Sequence, residues 1–382
     1  MPFHCVQSKK YGLVYFIDDK YCLNPNKSEL DYTWAFSKRF SNFPNIEYMK
    51  IFNGGKSLID NNSDELKQEF ENINKRLQIY LKAIKHSQTK FIQSNIFDLI
   101  PIEFWEKYFG IKNKMLTHLK QNIPKPINYS FFVNLLELLE DIEEKKLNIP
   151  TNFPNKIIYN AYGSLTGRLT TTKKSFPILC LPKSQRDIIH AENDFLIEFD
   201  FNAVEPRTYL ALIGAAQPEV DIHNWHQELY QKSFNVYIER CDIKEKFFAW
   251  FYGYKNEPFG ISEIDKIYNK ELILKKFWNN GIAKTIFHKE FEVPKERAFN
   301  NIIQSTAAYL FLEQAILINK FLKEHKTKTF VKMLIHDSLV LDFSKEDKSL
   351  YKEIISIFKK TRFGSFLVNI KAGQNFKDMK EI

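Results

Sequence analysis

The sequence predicts an α+β fold, and three changes of texture along the chain predict it. Residues 1–60 alternate short apolar runs, at 11–17 and 48–52, with Asp, Asn and Gly turns, which reads as strand-rich. Helical spacing takes over at 65–86 and again at 129–146, with Pro101 and Pro124 as breaks between. From Ile157 strands, glycine turns and special polar residues become dense and continue to the C-terminus. No internal repeat or low-complexity linker interrupts the chain.

At 382 residues there is room for two or three subdomains and a sizeable core. Hydrophobic residues are 44% and aromatics 15%, with 35 Phe, which excludes a disordered chain. The formal net charge of +9 favours an anionic partner, nucleic acid first. Lysines crowd the outer faces of the helices in 65–146, either as a solvated face or as a surface that touches a nucleic-acid backbone. Cys5, Cys22, Cys180 and Cys241 lie far apart without a Cys-x-x-Cys pair, which argues against a zinc site or disulfide framework and for a reducing compartment. The start, Met-Pro-Phe-His-Cys-Val, has no apolar signal core, and no stretch approaches the roughly 18 apolar residues of a membrane span. The expectation is a soluble, intracellular protein with no membrane partner.

Residues 195–207 read Phe-Leu-Ile-Glu-Phe-Asp-Phe-Asn-Ala-Val-Glu-Pro-Arg, and five of the first seven are Phe, Leu or Ile. Such a run predicts a core strand. Asp200 interrupts it near its C-terminal end, where backbone opens to solvent and a metal can match a charge; an ordinary Asp turn is the plain alternative. Pro206 suits the first turn of a following helix, where its missing N–H has no intrahelical partner. Glu205 and Arg207 bracket it, so the strand-to-helix corner carries three charged side chains.

Upstream, residues 161–174 place Gly, Ser and Thr beside Arg168, Lys173 and Lys174. Backbone amides, hydroxyls and cations together suit phosphate oxygens, although such loops are common. Downstream, Asp221 and His223 lie two residues apart, as in an ordinary helix start. In 239–253, Arg240, Lys244, Phe248 and Tyr252 recur every four residues. On a helix they form one slowly spiralling face about 18 Å long. Two cations at one end and two rings at the other match a nucleoside triphosphate, the cations holding the β- and γ-phosphates and the rings meeting sugar and base. Phe247, Trp250 and Phe251 point elsewhere and can anchor the helix; a merely amphipathic helix is the alternative. In 329–343 two apolar strands flank His336-Asp337, which predicts a tight hairpin with Asp337 at its tip. If that hairpin lies beside the Asp200 strand, both carboxylates would bind Mg²⁺. Two such ions clamp the attacking and leaving oxygens of an in-line phosphoryl displacement.

Taken in order, Thr166-Gly167-Arg168-Leu169, the Asp200 corner, Asp221-Ile222-His223, the Arg240/Lys244/Phe248/Tyr252-Gly253 helix and His336-Asp337 resemble the family A DNA polymerases, the class containing bacterial DNA polymerase I and several phage replicases. Asn300-Asn301-Ile302-Ile303-Gln304 and Gly373-Gln374-Asn375-Phe376 add to the likeness, which runs from about 157 to 378.

The resemblance implies a right-hand polymerase with an antiparallel-sheet palm, helical fingers and a helical thumb. On that plan 1–60 is a small strand-rich N-terminal region and 61–156 a thumb-like helical region. The palm takes 157–232 and 301–382, and 233–300 are shortened fingers. Asp200 and Asp337 would be the metal ligands for two Mg²⁺ ions. Arg168, Asn300 and Gln304 would contact primer–template DNA, with His336 beside the primer terminus. His223, Arg240 and Lys244 would bind the triphosphate, and Lys244 would also serve catalysis as a proton donor to the leaving pyrophosphate. Phe248 and Tyr252 would line the nucleotide pocket, and Glu205 would be the steric gate against a ribose 2′-OH. The implied partners are primer–template DNA, deoxynucleoside triphosphates, and a separate exonuclease or processivity factor. The protein would act as a monomer in the cytoplasm of a bacterial or phage-infected cell.

The chain also departs from the family pattern. Ser338 stands where the family usually has a Glu, the interval 253–300 is short, and 1–156 hardly holds a proofreading exonuclease; Asp18-Asp19 is not the acidic pattern such a domain needs. A composition rich in Lys, Asn, Ile and Phe suggests an AT-rich genome, as in a phage. Two rivals stay open: a single-subunit RNA polymerase, against which Glu205 argues, and a non-catalytic polymerase-like DNA-binding subunit.

Overall fold

The computed structural model describes residues 1–87, 95–150, 153–253 and 258–382. It divides the chain into two compact units, Met1–Val133 and Asn134–Ile382.

In the first unit, β1 (Phe3–Ser8), β2 (Gly12–Ile17) and β3 (Lys20–Cys22) form an antiparallel meander in that order. Asp18 turns the β2–β3 corner at φ +52°, so the acidic pair Asp18-Asp19 is turn chemistry. Strands β4 (Tyr32–Thr33) and β5 (Glu47–Tyr48) pair in parallel. The apolar run at 48–52, expected as strand, passes after Tyr48 into the short helix α1 (Met49–Phe52). Met49, Ile51 and Phe52 are all buried there, and a run buried on several sides carries no period that separates strand from helix. Ser63 caps α2 (Asp64–His86) by accepting from Leu66 N. Pro101 and Pro124 bracket α3 (Ile102–Asn122), whose Phe109 stacks on Phe16 at 4.4 Å between ring centroids. The division between units falls within α4 (Tyr129–Glu144).

The second unit begins with the small hairpin β6 (Tyr159–Asn160) and β7 (Thr170–Thr171), then β8 (Phe195–Phe201). Helices α5 (Val204–Leu212), α6 (Ile222–Phe234), α7 (Arg240–Phe251), α8 (Ser262–Ile267) and α9 (Lys270–Phe277) follow. A meander of β9 (Trp278–Asn279), β10 (Ile282–Lys284) and β11 (Glu290–Glu292) leads into α10 (Lys295–Glu324). The chain closes with β12 (Phe330–Ile335), β13 (Ser338–Phe343), α11 (Tyr351–Lys359), the pair β14 (Lys360–Thr361) and β15 (Gly364–Ser365), β16 (Val368–Gly373) and β17 (Lys380–Glu381).

The expectation is of dense strands from 157 with helical fingers at 233–300; the helical part runs further, over most of 204–324. The cause is burial. Helix α10 buries Phe299, Ala307, Phe311, Ala315, Leu312 and Tyr309 around its circumference, and a helix covered on most sides loses its amphipathic signature.

Strand β8 sits at the centre of a five-stranded antiparallel sheet in the order β12-β13-β8-β16-β17. Alternation along β8 sends Ile197, Phe199 and Phe201 to one face. There Phe358 of α11 stacks on Phe201 at 4.4 Å and meets Phe199 at 5.6 Å, with Phe311 of α10 6.4 Å beyond. Glu198 and Asp200 therefore face the other way. Ser338 of β13 and Asn369 of β16 are the register partners of Asp200.

Candidate active site

The sheet face that carries Asp200 forms the floor of a cleft of about 1020 Å³. The hairpin between β12 and β13 turns through His336 and Asp337, with His336 in the left-handed region at φ +56°. Because β13 pairs directly with β8, this turn brings Asp337 to the end of the sheet where Asp200 lies. Ser338 Oγ donates to Asp200 Oδ1 at 2.9 Å. Burial first, then the neighbouring Asp337 charge, raise the Asp200 carboxyl to about 6, against the hydrogen bonds of Ser338 and Asn369 and the charge of Lys183. Asp337 is also pushed up, by burial first and then by Glu205, against the charges of Arg168 and Lys244. Two partly buried carboxylates that destabilise each other's charge are a hard-oxygen donor set suited to Mg²⁺. No cluster of three or more His, Cys, Asp or Glu is assembled among the described residues.

The corner after β8 is rigid. Ala203 takes a left-handed conformation at φ +49°, and α5 starts at Val204 with Pro206 in its first turn. Arg207, one of the three charges expected at this corner, is fully buried instead of facing the cleft. Its guanidinium donates to the carbonyls of Asn202, Pro218 and Val220, each at 2.8 Å, and to Asn202 Oδ1 at 3.2 Å. That fork ties the corner to the chain that leads into α6.

Asp221 caps α6, accepting from His223 N and Asn224 N at 2.9 Å. It also takes Arg240 in a two-pronged pair, Nε at 3.0 Å and Nη2 at 2.6 Å, and Asn202 Nδ2 at 2.5 Å. These donors hold its carboxyl well below the usual range despite burial. Arg240 is thus engaged at the cleft wall by Asp221, a pairing the sequence did not foretell. Arg168 is likewise ion-paired, to Glu205. Its turn depends on Gly167 at φ +80°, where an added Cβ would lie 2.2 Å from the Tyr309 ring. Lys244 lines the cleft with no acidic partner within ion-pair distance among the described residues.

His223 is 2% exposed, 5.4 Å from the Phe248 ring, and its Nδ1 has no hydrogen-bond partner. Burial lowers its pKa to about 4, with Lys244, Arg240 and Arg207 assisting and Asp221 opposing, so it is neutral at pH 7. Burial first, then Arg186, Arg168 and Lys183, lower His336 as well.

The cleft therefore gathers Arg168, Asp200, Glu205, His223, Arg240, Lys244, Phe248, His336 and Asp337. Tyr252, Asn300 and Gln304 do not line it. Tyr252 stacks on Phe248 at 6.0 Å, and its hydroxyl is buried near Glu205 and Gln304 without a well-formed hydrogen bond. Burial and the Glu205 charge push that phenol upward. Asn300 Nδ2 donates to the Tyr252 carbonyl at 3.1 Å, which holds the end of α7. Among the cleft residues that escaped the sequence reading are Lys183, Arg186 and Asn369. The first two sit on a short 3-10 turn, Lys183–Ile188, with no distinctive spacing, and Asn369 matters only through its register with Asp200.

The sequence matches no protein-family model, and no curated protein is similar to it. Among solved structures, the chain is similar to the polymerase domain of Pol1 from M. smegmatis, in complex with DNA primer-template and dNTP. Sequence identity is 14% and the TM-score 0.49, over 85% of this chain and 66% of that one, just under two thirds of its length.

Proposed function

We propose that the chain is a template-directed DNA polymerase of the family A type, which adds deoxynucleotides to a primer 3′-OH. One observation carries the reading. Two carboxylates over a hundred residues apart, Asp200 on β8 and Asp337 in the β12–β13 turn, share a cleft with Arg240, Lys244 and Phe248 of α7.

Asp200 and Asp337 would hold Mg²⁺, which when bound neutralises charge on the attacking and leaving oxygens of phosphoryl transfer. The residues of the chain then bind and orient. Lys244, without an acid of its own, takes phosphate oxygens, and its Nζ is the proton donor to the departing pyrophosphate. Arg240 meets the phosphates from the rim while Asp221 keeps its fork aimed. His223, neutral at working pH, offers a ring N–H as a hydrogen-bond donor rather than a charge. Phe248 gives the base an apolar face. Glu205 closes the space beside the sugar, so a 2′-OH meets a carboxylate already engaged by Arg168.

Primer extension with Mg²⁺, comparing deoxynucleotides with ribonucleotides, tests the proposal. Activity on deoxynucleotides is expected, with Asp200→Asn and Asp337→Asn each reducing it by at least a thousandfold while primer–template binding persists. Extension at near wild-type rate by either variant would remove the two-carboxylate assignment. Ser338, a hydroxyl where a third carboxylate is usual, favours a second reading, a polymerase-shaped DNA-binding subunit without turnover. Tight DNA binding with no extension under any divalent cation would select it.

A further inference from the structure

The first unit contains a pocket of about 330 Å³, lined by Trp34, Lys50, Lys56, Leu58, Phe70 and Lys112. Four segments distant in sequence build it: the residues after β4, α1 with the loop that follows it, and the facing surfaces of α2 and α3. The loop is well held. Gly55 N donates to Lys50 O at 2.9 Å, Ser57 N to Asp60 Oδ2 at 2.8 Å, and Asn53 Nδ2 to Ser57 O at 2.7 Å. Lys50 N donates to Trp34 O at 2.8 Å, which fixes one wall to the other.

Lys112 is the unusual member. Its ammonium lies 5.5 Å from the Tyr108 ring centroid and 5.2 Å from that of Phe109, and no carboxylate pairs with it among the described residues. A largely buried lysine without an acid is a standing cost to the fold, and such costs concentrate where a ligand repays them. Burial alone lowers its pKa to about 8, so an arriving anion would restore full protonation.

We propose that this pocket binds a nucleotide, its phosphate against Lys112 and Lys56 and its base against Trp34. Charge selects the phosphate, since the lining includes three amines and no carboxylate. The apolar lining selects the base: Trp34, Phe70 and Leu58 offer ring and aliphatic contacts that a bare phosphate or an acidic peptide would leave unused. Volume limits the occupant to about one nucleotide, at the small end of ligand pockets, which run from about 300 Å³ upward. The occupant is either a free mononucleotide or one residue of a single strand. Nothing in this pocket depends on the chemistry proposed for the cleft.

Photo-crosslinking of the full-length chain to a hexathymidylate carrying one 5-iodouracil, followed by peptide mass spectrometry, tests this. An adduct on Trp34 is expected. Competition by thymidine monophosphate assigns the site to free nucleotides, and competition only by unlabelled oligonucleotide assigns it to a strand. Lys56→Gln and Lys112→Met should each weaken capture at Trp34 by about tenfold, the usual weight of a lost charged contact. Lys112→Met should not lower Tm. Lys56 is exposed, so its variant keeps the test sound if Lys112→Met misfolds. No adduct within 34–70, an adduct indifferent to both lysine changes, or equal competition by inorganic phosphate would each overturn the proposal.

Discussion

Asp200 concentrates the physics of the cleft in one side chain. Its rise from 3.8 to about 6 corresponds to at most about 3 kcal/mol of penalty on the ionised form. For a raised carboxylate that penalty is present above the folded pKa and vanishes below the unfolded one. Metal-free Asp200→Asn should therefore unfold at a higher temperature than wild type at pH 8, with the gap closing towards pH 4 as both become neutral. Differential scanning calorimetry across that range checks it. Added Mg²⁺ should raise the wild-type Tm and leave the variant's unchanged. Glu205 makes a second case. Glu205→Ala frees Arg168 and opens the space beside the sugar, so ribonucleotide incorporation should rise at least tenfold relative to deoxynucleotide. Unchanged discrimination in single-nucleotide extension would place the gate elsewhere.

At the scale of elements, the cleft depends on corners that hold helices in place. Arg207→Met would leave the carbonyls of Asn202, Pro218 and Val220 without their donor. A loss of about 3 kcal/mol or more is expected in urea unfolding, since unpaired buried polar groups cost about 1–3 kcal/mol each. Helix α6 brings a pH response. His226 is fully buried, 4.2 Å from the Phe247 ring, with Nε2 3.0 Å from the Tyr268 hydroxyl, and burial lowers its pKa to about 3. Between that value and 6.5 the unfolded chain binds a proton the folded chain refuses, so stability falls with falling pH. From pH 7 to 5 the loss from this group is at most about 2 kcal/mol. His226→Gln, which keeps a hydrogen-bonding group, should flatten that decline; an identical pH slope in both proteins would show that His226 is not its source.

For the whole molecule, a net charge of +9 favours an anionic partner, and the number of phosphate contacts sets the salt response of the proposed DNA binding. Binding to duplex primer–template should weaken linearly with log salt. Lys183→Gln, at the cleft wall near Asp200, should reduce the slope by about 0.9, the value of one lost phosphate contact. An unchanged slope in fluorescence anisotropy would remove Lys183 from the DNA path. Among the described residues no helix is long and apolar enough to cross a membrane.

Local pattern carried a good part of this. The aromatic run with Asp200, the two-residue turn at His336-Asp337 and the four-residue recurrence from Arg240 are short-range signals, because strand and helix periods are properties of neighbouring residues. Burial on several sides erased that period at 48–52 and along α10. Pairing between distant segments has no local signature; the order of motifs brought Asp200 and Asp337 together only by resemblance. That Asp221 would occupy Arg240, that Asn369 and Ser338 would flank Asp200, and that Arg207 would be buried are outcomes of register and packing. The sequence determined which local elements offer carboxylates, cations and rings; only the tertiary structure decided which of those side chains face one another, because contacts between remote segments are set by how whole elements pack.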